Sequence, residues 1–139
     1  MTNTEAIKTH AGGCHCGAVR FEVDLDLSRG GAMCNCSICA KLATLTTAVK
    51  PAAFRLLSGE ASLSSYEWGG KSGQRKFCKH CGVQCFGPGY LEQLGGDYVS
   101  INLNVLDDFD RATSKIGYWG GRHNNWEAGM RDTPWPIKA

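Results

Sequence analysis

The sequence predicts a mainly β domain, antiparallel in its strands and stabilised by bound metal. Short runs of alternating apolar and polar residues are separated by Gly- and Pro-rich turns, and 18 glycines in 139 residues suit tight turns better than helices. The eight cysteines come mostly as C-x-C and C-x-x-C clusters, which is ligand spacing.

Length bounds the answer to one domain with a core large enough to fold alone. The composition is ordinary for a globular protein, 42% hydrophobic and 20% charged, and the net charge is +2. That balance argues against nucleic acid or an anionic membrane as the main partner. Residues 1–10 are polar, with no apolar leader, and no run is apolar enough to span a bilayer. A secreted disulfide scaffold is the other reading of so many cysteines, but the clustering and the missing leader favour a cytoplasmic protein. A homodimer is compatible with the sequence.

In chain order, residues 1–11 read as a loose, flexible tail and residues 12–139 as the single domain. Glycines flank Cys14-His15-Cys16, so the backbone can turn and face two thiolates toward one ion. Val19, Phe21 and Val23 then alternate with Arg20, Glu22 and Asp24, a half-buried strand. Asp26 to Gly31 is a turn into Cys34-Asn35-Cys36-Ser37-Ile38-Cys39, with Ser37 placed to cap a short helical turn through Lys41. Thr44–Val49, Phe54–Leu57 and Leu63–Trp68 are strand candidates, and Gly69–Gly73 is a flexible loop. Its Gly-Lys-Ser order lacks the upstream glycine of a phosphate loop. Cys78-Lys79-His80-Cys81-Gly82 is a knuckle, with Val83–Phe86 as its exit strand. Tyr98 to Leu103 alternates again, presenting Val99, Ile101 and Leu103 on one face, and Ile116–Trp119 is the last strand. The aromatic, turn-rich end, with Trp119, Trp126 and Trp135, is expected to pack over the body.

A closed structural zinc site needs four ligands. Cys14 and Cys16 supply two, and Cys78 and Cys81 supply two more, which leaves Cys34, Cys36 and Cys39 as a second site with an open corner. Other arrangements remain: a histidine or Cys85 could close the triad, or a central thiolate could join the Cys78–Cys81 pair. A redox C-x-x-C would open a helix in a βαβ unit, and no such unit is visible. Cys85 reads as a plain buried thiol. His15 and His80, inside the knuckles, are expected to face solvent.

With those residues in view, the chain resembles the glutathione-dependent formaldehyde-activating enzyme family, to which centromere protein V is related. The resemblance rests on Gly13-Cys14-His15-Cys16-Gly17-Ala18-Val19-Arg20-Phe21, on Cys34 through Lys41, and on Arg75-Lys76-Phe77-Cys78-Lys79-His80-Cys81-Gly82. It continues through Asn104–Asp108, Gly121–Trp126 and Pro134-Trp135-Pro136. The chain departs from the family at Asn35, where His is frequent, and at Cys85, where an apolar residue is usual. The resemblance implies a β-tent of packed antiparallel sheets. It also implies two zinc ions per chain, a structural one on Cys14, Cys16, Cys78 and Cys81 and a second on Cys34, Cys36 and Cys39.

The implied activity is that of a carbon–sulfur lyase, S-(hydroxymethyl)glutathione synthase-like, with glutathione as co-substrate and a small aldehyde such as formaldehyde. Cys34, Cys36 and Cys39 are then the catalytic ligands, because a coordinated thiol loses its proton. Arg75, Arg122, His123 and Lys41 are the cations able to meet glutathione carboxylates, and His123 is the first choice for an acid or base. A glutathione carrier that does not catalyse, and a zinc-stabilised module that binds another macromolecule, are the alternatives the sequence leaves open.

Overall fold

The protein is described by a computed structural model that covers residues 6–67 and 73–137. Among the described residues ten strands fall into two sheets. The smaller holds β1 (Lys8–Gly13), β2 (Arg20–Leu25) and β5 (Phe54–Ser58), in the order β1-β2-β5. The larger contains β3 (Gly31–Cys34), β4 (Thr46–Val49), β6 (Leu63–Glu67) and β7 (Gln74–Cys78), together with β8 (Gln84–Leu91), β9 (Gly96–Asn102) and β10 (Ile116–Trp119). Its order is β10-β3-β4-β9-β8-β7-β6. Among the described residues one α-helix, α1 (Ser37–Leu42), and several single-turn 3-10 helices interrupt the strands.

This is the mainly β, packed-sheet architecture expected from the sequence, with one difference. The pairing of β10 with β3 is parallel, while the other strand pairs are antiparallel. The long excursion between Cys34 and Ile116 brings the chain back in the same direction, which a hairpin could not do.

The core lies between the sheets. β2 buries Phe21, Val23 and Leu25 on one face, as its alternation predicts, and β9 answers with Val99 and Ile101, followed by Leu103. Aromatic contacts join the layers: the ring of Phe54 lies 5.4 Å from that of Phe21 and 4.5 Å from that of Phe86. Asp24 on β2 accepts two hydrogen bonds from Arg55 on β5, at 2.8 and 3.1 Å, and one from Thr9 on β1 at 2.7 Å. The Arg55 guanidinium, helped by the Thr9 hydroxyl, holds the Asp24 carboxyl down at about 2.

Two local expectations need correction. The loose tail expected over residues 1–11 is a strand from Lys8 onward, in register from Lys8 opposite Leu25 to Gly13 opposite Arg20. Its inward positions are His10 and Gly12 rather than large apolar residues, so the apolar alternation that marks a strand is missing. His10 is buried and contacts the Asp108 carboxylate at 2.7 Å through Nδ1. Second, the N-cap of α1 is Cys36 rather than Ser37, and it makes no side-chain capping hydrogen bond. The expected loop at Gly69–Gly73 lies outside the described residues except for Gly73, and so does Trp68. Among the described residues no helix is long and apolar enough to cross a membrane.

Phe21→Ala is expected to cost about 3–5 kcal/mol, since the ring is fully buried between the sheets. Leu57→Ala, at a largely exposed position, should stay within about 0.5 kcal/mol. Urea unfolding of metal-loaded protein measures both. Asp24 has a depressed carboxyl in the folded state, so its stabilisation is full above the unfolded value near 4 and is lost as pH falls toward 2. The stability gap between wild type and Asp24→Asn should therefore be flat above pH ~5 and should shrink below pH ~4.

Candidate metal centres and the cleft beside them

Four thiols meet where a hairpin of each sheet turns. Cys14 and Cys16 sit in the β1–β2 turn, Cys78 ends β7 and Cys81 lies in the β7–β8 turn. The four sulfurs lie within 4.8 Å of one another. Cys16 Sγ is 3.6 Å from the sulfurs of both Cys14 and Cys78. A tetrahedral ion with metal–sulfur bonds of about 2.3 Å sets its sulfurs about 3.8 Å apart, so the group fits zinc in both donor chemistry and spacing.

The turns are shaped for this. Gly17 (φ 85°) and Gly82 (φ 78°) take left-handed conformations that close each knuckle. The Gly82 N–H donates to the Cys78 carbonyl at 2.7 Å. The backbone N–H of Val19 points to Cys14 Sγ at 3.3 Å and that of His80 to Cys78 Sγ at 3.4 Å. Backbone N–H groups, that of Val83 foremost, hold the Cys81 thiol down at about 6, which favours the thiolate a metal needs. Cys85 is fully buried nearby but is not in the group, and burial pushes its thiol up to about 12.

The second group is Cys34, Cys36 and Cys39, all half-buried. Cys34 ends β3, Cys36 caps α1 and Cys39 lies in its first turn, so a strand end and a helix start turn three thiols inward. The helix is short because Ala43 adopts a left-handed conformation (φ 55°) and donates back to the Cys39 carbonyl at 2.8 Å. The Cys39 thiol, followed by the backbone N–H groups of Cys36 and Gly121, holds Cys34 down at about 6. The adjacent Cys34 sulfur and burial raise Cys39. Gly121 must be glycine here, because a Cβ would stand 2.5 Å from Cys34 Sγ.

Asn35, between the ligands, is buried and ties the loop to the C-terminal segment. Its side chain donates to the Pro136 carbonyl at 2.8 Å and accepts from the Arg122 N–H at 2.9 Å. Trp135 braces the same segment, donating from its indole to the Tyr118 carbonyl at 3.0 Å beneath a stacked Arg131 guanidinium.

Among the described residues no fourth His, Cys, Asp or Glu ligand atom joins the triad. Cys34, Cys36 and Cys39 instead line a cleft of about 450 Å³ with Gln74, Arg75, Tyr98, Asn102, Trp119 and Trp126. Arg75 thus lines the same cleft as the triad, from β7, four strands away from β3 in the sheet. The Arg122 guanidinium is bonded to the Asn35 carbonyl at 3.1 Å. His123 is exposed on a separate cleft with Asn35, Asn124 and Trp135, and Lys41 is exposed on α1. Sequence reasoning missed Gln74, Tyr98, Asn102, Trp119 and Trp126 as cleft residues. Strand parity was the available signal: if Val99 and Ile101 face the core, Tyr98, Ser100 and Asn102 must face away from it.

The family model for glutathione-dependent formaldehyde-activating enzyme matches residues 9–122, which takes in all the cysteines. A crystal structure of a Rhodobacter sphaeroides protein is similar in fold, with a TM-score of 0.65 and 23% identity, covering 91% of this chain and 99% of that one.

The two thiol groups should respond differently to the loss of one ligand. Cys81→Ser opens the group that joins the sheets and should leave little cooperatively folded protein. Cys36→Ser and Gly121→Ala disturb a local loop, and each should melt cooperatively while holding one metal equivalent fewer. Cys85→Ala should keep its full metal content and lose about 1 kcal/mol. Elemental analysis with thermal melts measures all four.

Proposed function

The chain belongs to the glutathione-dependent formaldehyde-activating family, and from that premise we propose that it is a zinc-dependent carbon–sulfur lyase that joins or splits glutathione and a small aldehyde. The observation that carries the proposal is a triad of thiols that no fourth His, Cys, Asp or Glu ligand atom joins among the described residues, open to a cleft lined by a cation and two indoles. Two zinc ions per chain are assigned, one to the four-thiol group and one to Cys34, Cys36 and Cys39. Zinc bound at the triad would keep an incoming thiol as its thiolate.

The chain's own residues then have the following roles. Arg75 meets a glutathione carboxylate and orients the tripeptide in the cleft. Trp119 and Trp126, with ring centroids 6.0 Å apart, wall off water on one side. The cleft holds thiol and carbonyl together, which turns a bimolecular encounter into a positioned one. In the synthetic direction the sulfur lone pair forms the C–S bond and the carbonyl π electrons move to oxygen. That oxygen takes up the proton the thiol gave up, so the adduct is a neutral S-hydroxyalkyl thioether. Water entering the open side of the cleft is assigned as the carrier that returns this proton; Tyr98 lines the same cleft with its hydroxyl over Gly89 and near Gly73. Arg122 is assigned to positioning the triad loop through Asn35, and His123 to a second carboxylate on the adjoining cleft. All eight cysteines are free, which suits a reducing compartment such as the cytoplasm.

Adduct formation from glutathione and formaldehyde, followed by NMR against the spontaneous reaction, tests the proposal. Metal-loaded protein should accelerate it and Cys36→Ser should return it to background. Arg75→Ala should raise KM for glutathione by about tenfold or more while changing kcat less. Clear glutathione binding with no rate gain would make the chain a carrier instead.

A further inference from the structure

The thiol–aldehyde reading occupies only one end of a longer trough. The face of the large sheet turned away from the core is paved with small side chains. Ala32 pairs with Thr46, Ala48 with Ser100 and Ser100 with Gly87, so all of these share that face. Small floor residues leave depth above the sheet. At one end is the triad cleft. At the other is a second cavity of about 990 Å³, and the two share Ala32, Thr46, Ser100, Trp119 and Trp126 as common lining.

The two ends differ in chemistry. The triad end presents Gln74, Arg75, Tyr98 and Asn102. The far end presents Ala48, Leu91, Leu94 and Met130, with Arg29 as the charged residue of its lining. Leu91, Leu94, Trp126 and Met130 are 40%, 46%, 48% and 54% exposed, a concentration of open apolar surface that marks a binding site. Formaldehyde has no carbon chain to fill such a space, and the polar, charged arms of glutathione suit the triad end.

We propose that the second cavity receives an apolar alkyl or aryl arm on the aldehyde, so that the substrates of this chain are aldehydes larger than formaldehyde. This rests on the thiol–aldehyde reading of the triad. The carbonyl carbon sits at the triad end and the arm runs past Trp119 and Trp126 onto Ala48, Leu91 and Leu94. Bond making is unchanged: the C–S bond forms, the carbonyl oxygen gains the thiol proton, and the arm takes no part beyond its burial.

S-methylglutathione and S-hexylglutathione, unreactive analogues of short- and long-armed adducts, separate the possibilities by calorimetry on the metal-loaded full chain. Each methylene that enters the cavity should tighten binding about fourfold, so the hexyl compound should bind at least tenfold more tightly and perturb tryptophan fluorescence. Ala48→Arg, at an exposed strand position, should melt like the parent, keep its metal and bring the affinity ratio close to one. Equal affinity for the two compounds, or an unchanged ratio in Ala48→Arg, would overturn the proposal. So would a dimer that buries Leu91 and Leu94 and excludes the hexyl compound. Neither ligand needs turnover. A hexyl preference with no thiol–aldehyde activity would therefore sink the functional reading and leave the cavity assignment standing. Formaldehyde turnover with no chain-length preference would do the reverse.

Discussion

Four sulfurs gathered at two hairpin turns are the constraint on which the rest of this structure depends. One turn belongs to the small sheet and one to the large, and Cys16 and Cys78 are 62 residues apart in sequence. Closing so long a loop is entropically costly for the open chain, and a bound ion returns far more than that cost. Structural zinc contributes on the order of 10 kcal/mol or more, comparable with the whole stability of ~5–15 kcal/mol expected of a domain. Around this clasp the sheets share an apolar core, in which Phe21, Val23 and Leu25 of β2 meet Val99 and Ile101 of β9 and the rings of Phe21, Phe54 and Phe86 stack, while at the surface Arg20 of β2 pairs with Asp107 in the loop after β9. A surface pair of that kind is worth at most ~1 kcal/mol. Many of the strands are only four or five residues long, which explains why the fold needs a clasp at all.

A clasp that carries the fold would leave the triad free to serve the proposed chemistry. Its three thiols come from one strand end and one helix start, so losing them opens a loop without separating the sheets. The same local construction would leave an ion held there with a coordination position facing the cleft, which a closed four-ligand site would not. Asn35 shows how the loop is held. Its hydrogen bonds run to the C-terminal segment rather than to the ligands, so the triad is positioned from outside. Gly121 completes the arrangement by lying against Cys34 where no side chain would fit.

The cysteine pattern made both thiol groups legible, because ligand spacing is local and the remaining pairing followed from counting to four. Phe21, Val23, Val99 and Ile101 were legible by period-two alternation. β1 was not, since its buried positions are His10 and Gly12 and no hydrophobic signal marks them. The parallel pairing of β10 with β3 depends on where the chain returns after more than eighty residues, which no window of sequence records. The cleft walls were half legible: parity pointed Tyr98 and Asn102 away from the core. Trp119 and Trp126 read as packing residues, and only the folded chain shows them lining the space beside the triad. Arg122 and His123 each read as a cation able to meet a glutathione carboxylate, yet they face different neighbours, because Arg122 is drawn onto the Asn35 backbone.

Stepwise removal of metal tests the division between clasp and triad most directly. A chelator of graded strength, added to fully loaded protein, should withdraw one equivalent with little change in near-ultraviolet circular dichroism or in amide exchange of β2 and β9. Withdrawal of the second equivalent should coincide with loss of tertiary signal and of exchange protection in both sheets. Loss of structure with the first equivalent, or full retention of structure after both are gone, would contradict the claim that the four-thiol clasp holds the two sheets together.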